Sequence, residues 1–133
     1  MRILSKSYDG GPDSPVDGFF LIELKSLFSV VLLRFNEGGR EAFHTHAFNA
    51  LTWFISGDMT EEDIDGRFYA YSRSLLPKIT PRSKNHRVWA NRTSWALSIR
   101  GPWASTWTED DTEYHTVLTH GRKIVERNKH EEL

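Results

Sequence analysis

The sequence contains no cysteine. That excludes a disulfide framework, a thiolate nucleophile and cysteine-ligated zinc, so a bound metal must rest on histidine and carboxylate side chains. It also lacks an excess of charge of either sign. Seventeen Lys and Arg stand against eighteen Asp and Glu for a formal net charge of -1, so no global field favours nucleic acid or an anionic membrane as partner. No apolar run is long enough to span a bilayer, and residues 1–6 lack the hydrophobic stretch of a secretory signal, which gives a soluble cytoplasmic protein as the default expectation. There is no internal repeat, low-complexity tract or linker. A chain of 133 residues is expected to fold as one domain, 1–133.

Helical periodicity is scarce, and short apolar runs separated by turn formers dominate. Residues 1–18, with Gly10, Gly11, Pro12 and Pro15 near their end, read as an N-terminal loop. Residues 19–24 and 27–35 read as strands joined by a tight connection at Lys25 and Ser26. The second run is so continuously apolar that a strand covered on both faces is expected. Residues 51–55 form another short strand, stopped at Ser56, Gly57 and Asp58 by a turn. Residues 61–66 read as a solvated acidic loop, with Asp65-Gly66 as a hairpin signal. Pro77 and Pro81 bracket a segment that cannot be central sheet throughout. Residues 93–100 show the cleanest period of two, with Thr93, Trp95, Leu97 and Ile99 on one face and Ser94, Ala96, Ser98 and Arg100 on the other. Glu109, Asp110 and Asp111 read as an exposed acidic turn. The tail 121–133 carries too little apolar surface for a strong stripe and is expected to dock weakly as a short helix. The pattern predicts an all-β antiparallel sandwich or barrel.

The chemistry concentrates in Gly38 to Gly57. His44 and His46 are one residue apart, so on a strand they project from one side about 7 Å apart, within reach of one ion. His86 would complete the set. Three imidazoles donate three neutral nitrogens and leave open positions for water or substrate. Without a carboxylate, a divalent ion keeps its charge uncompensated and favours an anionic ligand. His115, His120 and His130 read instead as ordinary surface or hydrogen-bonded residues. Phe28, Trp53, Phe54 and Trp95 read as core, among five Trp, eight Phe and four Tyr.

Gly38, then His44-Thr45-His46 after five residues, then Gly57, together with the Pro81 to His86 turn, resemble the two motifs of the cupin superfamily. The more specific similarity, over residues 27–120, is to small bacterial and phage cupins of unassigned function with a His-x-His-Pro-Trp-Asp motif. Here Ala47, Phe48 and Asn49 fill the last three positions, and Arg100-Gly101-Pro102 and Trp107 also look similar. The resemblance implies a double-stranded β-helix, or jelly-roll barrel, with His44, His46 and His86 as metal ligands. It also places Ala50 where the family carries a glutamate ligand, and Asn49 where its carbonyl would be an accessory ligand; an Asx turn is the simpler reading of Asn49. Arg100 is more simply exposed, but would hold a substrate carboxylate or phosphate if its face lines the barrel.

The function expected on this basis is a metal-dependent enzyme acting on a small anionic molecule, with an iron-dependent oxygenase as the reaction type and manganese, nickel or zinc as the other ions such a site takes. A non-catalytic small-molecule or partner binder with a degenerate site is the rival. A third class, an interaction protein, would use the aromatic surface in a homodimer.

Overall fold

The computed structural model describes residues 2–9, 14–39, 43–111 and 113–130, and nearly everything in it is strand. In chain order the strands are β1 (Arg2–Tyr8), β2 (Val16–Leu24), β3 (Phe28–Phe35), β4 (Gly38–Gly39), β5 (Phe43–His44), β6 (Ala50–Asp63), β7 (Phe68–Ser72), β8 (Lys78–Thr80), β9 (His86–Arg100), β10 (Trp107–Asp110), β11 (Tyr114–Thr119) and β12 (Lys123–Lys129). All pairings are antiparallel. The all-β barrel expected from the turn spacing is what forms. No helix of the described residues is long and apolar enough to cross a membrane.

Two long strands organise everything else. β6 and β9 pair along their whole length, from Ala50 opposite Arg100 to Asp63 opposite His86. The other edge of β9 is shared between β3, which pairs with residues 94–100, and β4 and β5, which pair with Trp89, Ala90 and His86. The other edge of β6 carries β8 and then β7. Outside β3 lie β2 and β1, and outside β5 lie β10, β11 and β12. A strand of fifteen residues would span about 50 Å if straight; β9 instead curls, so both its ends line one cavity.

The bend lies where a turn is expected at Ser56, Gly57 and Asp58. No chain reversal occurs there. β6 runs through it with register shifts between Phe54 and Ser56, Ser56 and Asp58, and Asp58 and Met59, so the glycine marks a bulge. Gly57 has φ +114°, and a Cβ on it would stand 2.0 Å from Ser94 Oγ and 2.5 Å from Ser94 Cα. The Ser94 hydroxyl accepts from the Asp58 amide at 2.9 Å and donates to the Arg92 carbonyl at 2.9 Å, which fixes the bulge against β9.

Other expectations are corrected by long-range pairing. The N-terminal segment is not a loop through residue 18: Arg2–Tyr8 is a strand paired from Arg2 opposite Glu23 to Tyr8 opposite Asp17, while residues 10–13 lie outside those described. The tail is not helical. After a single 3-10 turn at His120–Arg122, β12 pairs with β11, and residues 131–133 lie outside those described. Glu109 and Asp110 belong to β10, opposite His44 and Phe43. Glu61, Glu62 and Asp63 belong to β6, and only the hairpin at Asp65-Gly66 forms as expected, with the Gly66 amide donating to the Asp63 carbonyl at 2.9 Å. β3 is buried on one face only, through Ser29, Val31 and Leu33, and Phe28 is exposed. Phe54 is buried as expected, whereas Trp53 and Trp95 are half-buried.

The apolar interior is divided into three clusters: Phe20, Val31 and Leu33; Phe54, Met59, Ala90 and Ala96; and Ala47, Phe48, Trp107 and Leu118. Between them the interior is polar. Glu61, Ser94, Ser98, His86 and Arg100 are all buried. An interior that buries this much polarity around a cavity is built for a ligand as well as for stability.

The bulge gives a direct test. Gly57→Ala forces a side chain into Ser94 at an unfavourable φ and is expected to cost about 2–3 kcal/mol. Urea unfolding would measure it, with Gly66→Ala as the comparison, since a Cβ at Gly66 meets nothing within 4 Å.

Candidate metal centre

The first two histidines are placed by a short strand and a hydroxyl clamp. β5 contributes His44, which pairs with His86 on one side and Glu109 on the other. Thr45 is fastened to β10: its amide donates to the Thr108 carbonyl at 3.0 Å, and its hydroxyl accepts from the Thr108 amide at 2.9 Å. His46 lies just past the strand, with its amide donating to the Arg82 carbonyl at 3.2 Å. Residues 40–42, within the glycine-led motif, lie outside those described. His86 opens β9, and on its inward face the strand continues through Val88 and Ala90.

The three rings form a near-regular triangle. Centroids are 5.0 Å apart for His44 and His46, 5.0 Å for His44 and His86, and 4.9 Å for His46 and His86. One nitrogen from each falls within 4.8 Å of the others. The sequence expectation that these residues meet is therefore met in space, and they line a cavity of about 340 Å³.

Behind the triangle stands a residue that sequence reasoning assigned to a solvated loop. Glu61 is fully buried, with 0 % exposure. Its Oε2 accepts from His86 Nδ1 and lies 2.9 Å from Lys78 Nζ, while its Oε1 accepts from Lys84 Nζ at 3.0 Å and from the Tyr71 hydroxyl at 3.0 Å. Burial pushes the Glu61 carboxyl up, but the hydrogen bonds from His86 and the two lysines outweigh it and hold the acid far below the usual carboxylate range. Burial, and then the Glu61 charge, push the Tyr71 phenol up, so it stays a donor. Burial lowers Lys78 despite the same carboxylate.

This network sets the tautomers. With His86 Nδ1–H donating to ionised Glu61, the neutral His86 ring presents Nε2 as an acceptor. His46 Nε2 lies 2.7 Å from it and donates. Burial, followed by the neighbouring His44 and His86, lowers His46 well below its ordinary value, so the ring is neutral at physiological pH. Neutral imidazole is the form that ligates metal. Nitrogens sharing one ion at about 2.0–2.1 Å stand about 3.0–3.4 Å apart, so ligation requires His46 and His86 to separate by about 0.5 Å and His46 to move its proton to Nδ1. Both are small adjustments, and the donor set fits a divalent ion.

The remaining sequence candidates separate cleanly. Asn49 is exposed, and its side-chain oxygen accepts from the Arg82 amide at 2.7 Å, which ties two loops together instead of forming an Asx turn or an accessory ligand. Arg100 is not exposed as expected: the small, polar face of β9 points inward, and Arg100 lines the cavity with 4 % exposure. Among the outlying histidines, His115 pairs with Asp110, His130 Nε2 donates to the Asp111 carbonyl at 3.1 Å, and His120 stacks on Trp103. The signal that could have found Glu61 is its parity: it lies an even number of residues from buried Met59 on the same strand, once the bulge at Gly57 is allowed for.

Neither a protein-family model nor a curated protein matches this sequence. Solved structures do match the fold. A sugar phosphate isomerase of the cupin superfamily from Silicibacter pomeroyi superposes with TM-score 0.63 at 12% identity, covering 95% of this chain and 88% of that one. Ectoine synthase from P. lautus gives 0.58 at 15% identity, covering 68% of this chain and 67% of that one. The EutQ protein of Clostridium difficile gives 0.57 at 18% identity, covering 73% and 75%. The protein has the cupin fold, and its three histidines sit together inside the barrel as a site suited to a divalent metal.

Glu61→Gln should separate support of the site from the site itself. Loss of the charge leaves Lys78 without its ion-pair partner and Lys84 with only Asp63 at 3.4 Å, and is expected to cost about 3 kcal/mol of stability. It also replaces the charged acceptor that orients His86 with a neutral amide, so zinc affinity should fall about 10- to 100-fold by isothermal titration.

Proposed function

We propose that this protein is a metal-dependent cupin enzyme acting on a small anionic molecule, with His44, His46 and His86 as the metal-holding residues and iron-dependent oxygenation as the reaction class. The observation that carries the reading is the convergence of three imidazoles, with no carboxylate among the described ligating groups, on a cavity lined by Arg100 and Lys78. An iron ion held there supplies a Lewis acid and an electron donor for dioxygen. The chain's own residues do the rest. Glu61 fixes the His86 ring and keeps its Nδ1 protonated, and Tyr71, Lys78 and Lys84 keep Glu61 ionised. Phe20, Phe48 and Phe54 keep the cavity walls apolar, which strengthens every charge interaction within it.

A second reading has its own observation. The 2.7 Å contact between His46 and His86 satisfies both rings without any ion, as in a binding module whose histidines are structural. Metal content distinguishes the two. Protein expressed in iron-supplemented medium and purified without a nickel column should carry about one ion per chain, falling below about a tenth of that in His44→Ala and His86→Ala. Substoichiometric metal in all three would select the binding module.

The reaction class needs a separate readout. Iron-loaded protein screened against small carboxylic acids in an oxygen electrode should show acid-dependent oxygen uptake that His86→Ala abolishes. Full iron occupancy with no uptake for any acid would remove oxygenation and leave non-redox Lewis-acid chemistry.

A further inference from the structure

The cavity holds a second charged group whose partner is unusual. Arg100 is the last residue of β9 and is enclosed by aromatic rings, with its guanidinium 4.5 Å from the Phe48 centroid and 5.9 Å from that of Phe20. Phe48 in turn lies 5.6 Å from His46, so the arginine and the histidines occupy neighbouring stretches of one wall. Its charge is met by Asp9, with Nη1 donating at 3.0 Å and Nη2 at 2.8 Å. The pair is asymmetric in burial. The Arg100 side chain is 5% exposed and that of Asp9 29%. Asp9 belongs to the segment between β1 and β2 and reaches the arginine across 91 residues of sequence. The guanidinium is almost withdrawn from solvent, whereas the carboxylate is partly exposed.

Two further features face the same region. Among the described residues, buried Arg100 Nε and Trp103 Nε1 find no hydrogen-bond acceptor. Directly across the strand pair from Arg100, at the start of β6, stands Ala50, whose methyl group leaves cavity in front of the guanidinium. A buried guanidinium needs an anion, and one carboxylate replaces another at little net cost because the charge count inside the barrel is unchanged.

We propose that Arg100 is the receiving site for a carboxylate of the small molecule that enters the barrel, and that Asp9 fills this site in this structure. The substrate class is a small carboxylic acid, and one with a second anionic group would place it toward the histidines, a part of the inference that rests on their holding a metal. Asp9 acts as a competitor that keeps the arginine neutralised until a ligand carboxylate displaces it, the freed aspartate turning to solvent. Neutral isosteres are rejected because they would leave the guanidinium without a counter-charge.

Malonate is the probe, with malonamide as its neutral isostere, titrated calorimetrically into the zinc-loaded full chain. Wild type is expected to bind malonate and not malonamide. Asp9→Asn removes the competitor and should bind malonate about tenfold more tightly, whereas Arg100→Gln should bind it at least about tenfold more weakly. The double variant Asp9→Asn, Arg100→Gln removes both charges and leaves neither buried without a partner; it should stay folded by near-UV circular dichroism and bind as weakly as Arg100→Gln. Equal malonate affinity in wild type, Asp9→Asn and the double variant, or absence of malonate binding throughout, overturns the proposal. Zinc content of the same samples is read independently. Arg100-dependent malonate binding without zinc upholds the arginine site and removes the metal-dependent function, and zinc binding with Arg100-independent malonate binding does the reverse.

Discussion

A carboxylate with no solvent contact survives only where donors replace its water, and Glu61 is surrounded by them: His86, Lys78, Lys84 and the Tyr71 hydroxyl. These donors come from the start of β9, from β8, from the loop between β8 and β9, and from β7. One side chain thus ties four neighbouring segments to β6. The same bond selects the His86 tautomer, and through it the direction of the hydrogen bond from His46. Stability of this end of the barrel and the state of the histidine cluster therefore depend on one anion. The interior, divided into three modest apolar clusters, leaves it room to matter.

Charge within the cavity follows a consistent plan. The described ligand set carries no carboxylate, Glu61 is fully committed to its donors, and Arg100 is committed to a partly exposed aspartate. A divalent ion would add positive charge with no carboxylate among the described ligating groups, and Ala50 offers only a methyl group. The proposed acid would balance such a site, and its size is bounded by a cavity of about 340 Å³. The fold, shared at low identity with an isomerase, a synthase and a protein of other description, does not by itself choose among reactions.

What the sequence made legible was local. Spacing alone joined His44 to His46, and strand-sized runs with turn residues between them gave an all-β barrel. The alternation of residues 93–100 separated the two faces of β9 correctly, yet the assignment of Arg100 to solvent failed. Interior and exterior in a cavity-bearing barrel do not follow hydrophobicity, and the inward face is the one with Ser94, Ser98 and Arg100. Glu61 was missed for a related reason. Its neighbours Glu62 and Asp63 give the segment a loop's composition, and the bulge at Gly57 hides that β6 continues through it. The N-terminal strand and β12 were missed because each is polar and gains its order from pairing with a distant segment, β1 with β2 and β12 with β11. The Asp9 to Arg100 contact has no local signal, since it spans 91 residues.

The central claim is that His44, His46 and His86 form one metal centre. A crystal structure of iron-loaded protein, with data collected at the iron absorption edge, tests it most directly. The account predicts one anomalous peak about 2.0–2.2 Å from a nitrogen of each imidazole, with the His46 and His86 nitrogens opened from 2.7 Å to about 3.0–3.4 Å. Retention of the 2.7 Å contact between the two rings, with iron absent from the triangle or bound elsewhere, would contradict it.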